Sequence, residues 1–179
     1  MFSQLISAQQ NVQLIPAQSQ IIIKGTSNLH DWEENVEKFN VILDLNFNNQ
    51  QVTQIEKVHV NLKSKSIVSE NNIMTNKTHE ALRVEKYPDI EFKLVSVDKL
   101  SSADGKFSGT LSGDVTLSGV TKRITVPFSG VQAADKITIK GSKELNMSDF
   151  NIKPPSAMLG ALKTGNEVTI SFQLNFQIT

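Results

Sequence analysis

The stretch Glu167-Val168-Thr169-Ile170-Ser171-Phe172-Gln173-Leu174-Asn175-Phe176-Gln177 alternates apolar and polar residues without a break. A period of two puts Val168, Ile170, Phe172, Leu174, Phe176 and then Ile178 on one face of a strand, with Thr169, Ser171, Gln173, Asn175 and Gln177 on the other. One face is therefore buried and one is wet, the habit of antiparallel sheets. The pattern recurs upstream. Phe39, Val41, Leu43, Leu45 and Phe47 alternate with Asn40, Ile42, Asp44 and Asn46, and Asn48-Asn49-Gln50 turns that strand. Over about 52–62, Val58, Val60 and Leu62 oppose Lys57, His59 and Asn61. After Pro88, Ile90, Phe92 and Leu94 oppose Asp89, Glu91 and Lys93; Val95 and Val97 then appear on the other parity, which predicts a bulge or bend.

Four more strands complete a set of eight, at about 19–27, 107–117, 123–131 and from Ile137 and Ile139 towards Leu145 and Met147. Asp104-Gly105 supplies the positive φ angles of a tight hairpin, so the strands on either side of it are neighbours. Ile124, Val126 and Phe128 are in phase, with Pro127 marking that strand as irregular or edge-like. One stretch, about 76–86, reads as helical: Thr75 or Asn76 can cap it, Ala81, Leu82 and Val84 give it an apolar side, and Pro88 stops it. Eight antiparallel strands and one short helix near an opening make an all-β, eight-stranded antiparallel barrel the economical architecture, because closure removes exposed edges; a two-sheet sandwich is the runner-up.

The chain has 179 residues, the size of one domain, divided here into an N-terminal segment 1–18 and a barrel over 19–179. Lys plus Arg number 18 and Asp plus Glu 18, so there is no net charge to hold nucleic acid by counterion release. Cysteine is absent, which removes disulfides, thiolate metal sites and cysteine nucleophiles. No apolar run approaches the roughly 18 residues of a membrane-spanning helix. An outer-membrane barrel needs a lipid-facing apolar band with aromatic girdles, whereas aromatics are 6% here and Glu91, Lys93, Lys140 and Gln173 stand at mid-strand. Phe2 to Ala8 suits the trimmed end of a secretory signal and a plain soluble N-terminus equally well.

An eight-stranded barrel either fills itself with side chains or holds one small or elongated ligand. Its expected inward set is Phe39, Val41, Leu43, Val58, Val60, Ile90, Phe92, Leu94, Ile124, Val126, Phe128, Ile170, Phe172 and Leu174, with no buried acid or base pair evident from parity. Periodicity alone leaves an apolar tunnel and a solid core equally open.

Four phrases in order carry a family likeness: Gly25-Thr26-Ser27-Asn28-Leu29-His30-Asp31-Trp32; Lys86-Tyr87-Pro88-Asp89-Ile90-Glu91-Phe92; Gly113-Asp114-Val115-Thr116-Leu117-Ser118-Gly119-Val120-Thr121-Lys122; and Met147-Ser148-Asp149-Phe150-Asn151-Ile152 followed by Lys163-Thr164-Gly165-Asn166-Glu167-Val168-Thr169-Ile170. Together they resemble the YceI-like, polyisoprenoid-binding family of bacterial proteins. The resemblance implies a lipocalin-like barrel, periplasmic or secreted, that carries an isoprenoid quinone, a polyprenyl lipid or a fatty-acid-like amphiphile as its ligand, with no catalysis and no other cofactor. A homodimer is left open. Many members carry an Arg-Asp pair before the helix and an Arg before an Asp-Phe-Gly phrase; this chain has Asn72-Ile73 at the first place and Met147 and Asn151 at the second, so a polar head would be held differently.

Candidates for the mouth follow. Met158, Leu159 and Leu162 read either as a gate or as a plug packed on the barrel. Met74, Ala81 and Leu82 read either as a cap over the opening or, more readily, as plain packing of the helix on the barrel end. His30 and Trp32 read either as contacts to a polar head or as a structural turn. His30, His59 and His79 show no metal-ligand spacing, and no serine stands in a Gly-x-Ser-x-Gly phrase, so neither a metal site nor an esterase is expected. The rivals to a lipid carrier are a filled structural or protein-interaction barrel and, behind it, a lipid-processing enzyme.

Overall fold

The computed structural model describes residues 8–48 and 50–179. Phe2 to Ser7 of the signal-like segment, and Asn49 of the first hairpin, lie outside the described residues. In chain order the elements are β1 (Ala8–Gln10), β2 (Val12–Leu14), β3 (Gln20–Ser27), β4 (Trp32–Val36), β5 (Phe39–Asn48), β6 (Gln51–Lys63) and β7 (Ile67–Val68). Helix α1 (Asn72–Leu82) follows, then β8 (Asp89–Ala103), β9 (Lys106–Leu117), β10 (Val120–Ala133) and β11 (Lys136–Asn146). Two strands close the chain, β12 (Ser156–Ala157) and β13 (Leu162–Ile178). The eight strands expected from alternation are all here; β1, β2, β4, β7 and β12 are additions too short for a period of two to reveal.

The sheet is antiparallel throughout, in the order β1-β5-β6-β8-β9-β10-β11-β13-β3-β4-β7. It curls into a barrel. At one end, here the lower, the N-terminal run bridges two strands, β1 pairing with β5 (Gln10 opposite Leu45) and β2 with β13 (Leu14 opposite Phe176). At the upper end β3 pairs with the first part of β13, β4 pairs with β3, and β7, the continuation of β6, pairs with β4.

Local chemistry explains the joints. Asp104 and Gly105 both take positive φ, 53° and 72°, in the β8–β9 hairpin, and Ser118 and Gly119 do so between β9 and β10. The parity slip in β8 is real: register shifts lie between Leu94 and Ser96 and between Asp98 and Ser101. Pro127 pairs with Thr110 of β9, while the ladder from β10 to β11 begins only at Phe128 opposite Gly141. The proline nitrogen, which has no hydrogen to donate, thus sits where the ladder stops. Glycines in the wall serve packing: a Cβ on Gly113 would overlap the Phe92 ring, and one on Gly130 would overlap the Phe107 ring.

The helix starts four residues before its expected position. Asn71 Oδ1 accepts from Ile73 N at 2.9 Å and Met74 N at 3.4 Å, so it, rather than Thr75 or Asn76, is the cap. Arg83 adopts the left-handed conformation and ends the helix at Leu82, leaving 83–86 as a turn. Ser118 Oγ donates to Leu82 O at 2.9 Å and ties the helix end to the β9–β10 hairpin. At the lower end Leu45, Ile137 and Phe176 have no exposed surface.

Candidate functional site

Above that packed layer the barrel is hollow. A deep compartment of about 180 Å³ is walled almost wholly by aliphatic and aromatic side chains. A second, of about 280 Å³, lies beneath α1 at the upper end. The two share Ile21, Leu62, Ile90, Val115, Leu145 and Ile170, so they are adjoining parts of one lumen.

Most of the expected inward residues reach the deep compartment: Val41 and Leu43 from β5, Val58 and Val60 from β6, Ile90 and Phe92 from β8, Ile124, Val126 and Phe128 from β10, and Ile170, Phe172 and Leu174 from β13. Phe39 and Leu94 do not. Both are half-buried and pack against the surrounding core, Phe39 at the start of its strand and Leu94 at the bulge, where the pleat turns out of phase. The expected set lacked the walls supplied by β3, β9 and β11, including Ile21, Leu111, Val115, Ile139 and Leu145. Val115 and Leu111 were masked by the glycines around them, although their alternation with Thr116, Ser112 and Asp114 carried the signal.

One side of the lumen is not hydrogen-bonded shut. The β10–β11 ladder runs from Phe128 to Ala133 only, so β10 parts from β11 over its first half. Ile124 and Val126 line the lumen on one side of this split, Lys143 and Leu145 on the other.

At the upper compartment His30, Trp32, Met74 and Leu82 are lining residues. Trp32 Nε1 donates to Thr26 O at 2.9 Å, and its ring covers Gly25, so the indole donor is consumed by the fold. Ser27 Oγ accepts from His30 N at 3.0 Å and donates to His30 O at 2.6 Å, which fixes the turn as a structural one. His30 itself is exposed, with Nδ1 2.7 Å from Asp31 O. Asn28 clasps the opposite loop, donating through Nδ2 to Ala161 O at 2.8 Å and accepting through Oδ1 from Lys163 N at 2.9 Å.

Met158 and Leu159, expected at the mouth, do not line it. Met158 is 76% exposed and Leu159 fully so, because both take positive φ, 53° and 56°, in a tight turn that carries their side chains away from the barrel. Leu162, expected at the mouth with them, does line the compartment, as does Ala157 on the other side of that turn.

The lumen also holds an acid that parity did not reveal. Glu34 is 1% exposed and lines the upper compartment. Thr78 Oγ1 on α1 donates to Glu34 Oε1 at 2.7 Å, and burial pushes the carboxyl above its usual pKa despite that bond. In β4, Trp32, Glu34 and Val36 face inward while Glu33 and Asn35 face out; the alternation is present, but it spans only five residues and has a charged residue at its centre. His59, by contrast, belongs to the outer face, 3.7 Å from Glu91, whose carboxyl is held below the usual range by Lys93 and then by His59. His79 Nε2 lies 2.8 Å from Ile67 O. Among the described residues no three His, Asp or Glu side chains gather to hold a metal ion, and no helix is long and apolar enough to cross a membrane.

Comparison with known proteins places this architecture. A UPF0312 protein of Pseudomonas putida strain F1 is 32% identical over 113 residues, covering 58% of this chain and 56% of the relative. A UPF0312 protein of Pseudomonas savastanoi pv. phaseolicola is 29% identical over 133 residues, covering 67% and 62%. The chain thus spans little more than half the length of the curated relatives it matches. Among solved structures, Burkholderia cenocepacia BcnA superposes with a TM-score of 0.72 at 18% identity, covering 91% of this chain and 99% of that one. A polyisoprenoid binding domain from Saccharophagus degradans, implicated in plant cell wall breakdown, gives 0.68 at 12% identity, covering 95% and 99%. These structural likenesses concern the fold. The sequence model of the YceI-like domain matches residues 13–176, and the chain belongs to that family.

Proposed function

We propose that the protein binds a long-chain isoprenoid or another amphiphilic lipid in its lumen and carries it without chemical change, as a periplasmic or secreted protein. The observation that carries this reading is the deep apolar compartment of about 180 Å³ opening into a larger one with polar groups at its rim. A cavity of about 150 Å³ lined by Leu, Ile and Phe stays dry and takes up benzene, so a void of this size and lining accepts hydrocarbon. Enclosing the chain contributes roughly 25 cal/mol per Å² of apolar surface removed from water, with no charged contact required. The neighbour from Saccharophagus degradans is named as a polyisoprenoid binding domain, which favours the same ligand class here. The rival of a filled barrel describes the lower end, where Leu45 and Ile137 are fully buried and line neither compartment, but leaves the void above them unaccounted for.

Organic extraction of natively purified protein followed by mass spectrometry tests the reading. A long-chain lipid recovered in near-stoichiometric amount is expected. Extracts repeatedly free of lipid, from protein that also fails to take up added farnesol, would overturn it.

A further inference from the structure

Glu34 is an anomaly in a wall otherwise built to exclude water. An isolated carboxylate costs several kcal/mol to bury, and fully buried acids are found paired or protonated. No cation pairs with Glu34 among the described residues. Its one hydrogen-bond partner is Thr78, which donates to Oε1. The other charged or titratable groups around the upper compartment are otherwise engaged: Lys77 Nζ lies 3.1 Å from Glu80 Oε2, and His30 is exposed, with Nδ1 against Asp31 O. His79, on the same helix as Thr78, is turned to Ile67 O. Glu34 is therefore held by a donor at one oxygen and confronts the lumen without a counter-charge. Burial, the largest influence on it, favours the neutral form, in which the second oxygen carries a proton and is a donor.

We propose that Glu34 selects the head of the bound amphiphile, its carboxyl giving a hydrogen bond to an uncharged oxygen acceptor, such as a carbonyl or alcohol oxygen, in a compartment that offers phosphate and carboxylate heads no free cation. The inference rests on the lumen reading above and adds a chemical class to it. An anionic head taken out of water would need a cation, and the one lysine lining the compartment, Lys77, is paired with Glu80; a neutral head carries no such cost and still accepts from Glu34. This also gives the upper compartment a direction: the tail descends into the deep apolar void and the head stops beneath α1.

The test uses the full chain with two probes that share a tail, farnesol and farnesyl phosphate, read by quenching of Trp32, the single tryptophan, which lines the same compartment. Wild type should prefer farnesol by roughly tenfold or more, the cost of burying an anionic head without a cation. Its farnesol affinity should fall as pH rises through the elevated pKa of Glu34. In Glu34→Gln the donor persists without a titrating proton, so the farnesol affinity should become flat with pH, and the phosphate should bind better than it does to wild type only above the elevated pKa, where wild-type Glu34 is ionised and repels it. Thr78→Val removes the bond that favours the ionised form, and the midpoint of the pH dependence should move up; this variant serves if Glu34→Gln folds poorly. Equal affinity of wild type for the two probes, or a pH profile unchanged by both variants, would overturn the headgroup role while leaving the carrier intact. Failure of both probes to bind wild type would overturn the lumen reading, and this inference with it.

Discussion

Phe172→Ala measures whether the lumen is a void or merely a loosely drawn core. Phe172 stands on β13 with its ring against the deep compartment and over Gly141, where a Cβ would overlap it. Truncating phenylalanine in a close-packed interior costs about 3–5 kcal/mol, the lost transfer energy plus the cavity left behind. At Phe172 one side of the ring already faces about 180 Å³ of space. It has dispersion partners over only part of its surface, and the expected loss is about half the packed value, roughly 1.5–2.5 kcal/mol. Phe107 is the internal control: it is 3% exposed, its ring centroid is 6.2 Å from that of Phe128, and it lies outside the lumen lining. Phe107→Ala should cost the full amount, about 3–5 kcal/mol. Urea unfolding followed by Trp32 fluorescence gives both values, provided the m-values agree. The same void predicts the effect of a guest. At about 24 cal/mol per Å³, leaving 180 Å³ unfilled forgoes about 4 kcal/mol, so a well-fitting ligand should stabilise the wild type by up to that amount at about 1,000-fold excess over Kd. Equal losses above about 3 kcal/mol at both phenylalanines, with no stabilisation by farnesol, would refute the reasoning.

Gly130→Ala should destabilise the barrel by about 1–3 kcal/mol, since the added methyl overlaps the buried Phe107 ring and the sheet gives it no room; an unchanged urea midpoint would contradict the close approach. Glu34→Gln should alter stability in a pH-dependent way. Because burial raises the folded-state pKa of Glu34, the folded chain keeps a proton that the unfolded chain has already lost, so wild-type stability falls as pH rises from the ordinary carboxylate range through the raised value. The glutamine variant lacks that loss, and its advantage over wild type should grow across the window and be absent below it; parallel profiles in urea unfolding at a series of pH values would count against a buried, protonated Glu34.

The long strands were legible because burial on one face imposes a period of two, and ten-residue runs such as Phe39–Asn48 repeat it often enough to be seen. The Asp104-Gly105 hairpin and the slip after Leu94 were legible for equally local reasons, a residue pair with positive φ and a parity change. The helix boundary was not, because Asn71, Asn72, Thr75 and Asn76 are all competent caps, and only the bonds from Ile73 and Met74 to Asn71 decide between them. Met158 and Leu159 misled for the opposite reason: apolar residues on a loop suggest contact with the interior, whereas a left-handed backbone at both positions points them outward. Glu34 was hidden by its own charge, which breaks the apolar series that would otherwise identify β4 as a wall of the lumen.

The position of the lumen follows from how the sheet closes. At the lower end a single run, β1–β2, spans the space between β13 and β5, and Leu45, Ile137 and Phe176 are fully buried there, Phe176 forming part of the cavity floor. At the upper end two strands, β3 and β4, stand between β13 and β7, and β10 leaves β11 above Phe128. The strand number around the ring is the same at both ends; what distinguishes the upper end is that β10 stands apart from β11 there and that α1, rather than the N-terminal run, covers the opening. The space beneath is hollow and α1 lies across it, with Thr78 reaching down to Glu34. The one buried carboxyl thus falls where the apolar void meets its polar rim. That is the position at which an amphiphile changes character along its length, and it ties the closure of the sheet to the choice of ligand.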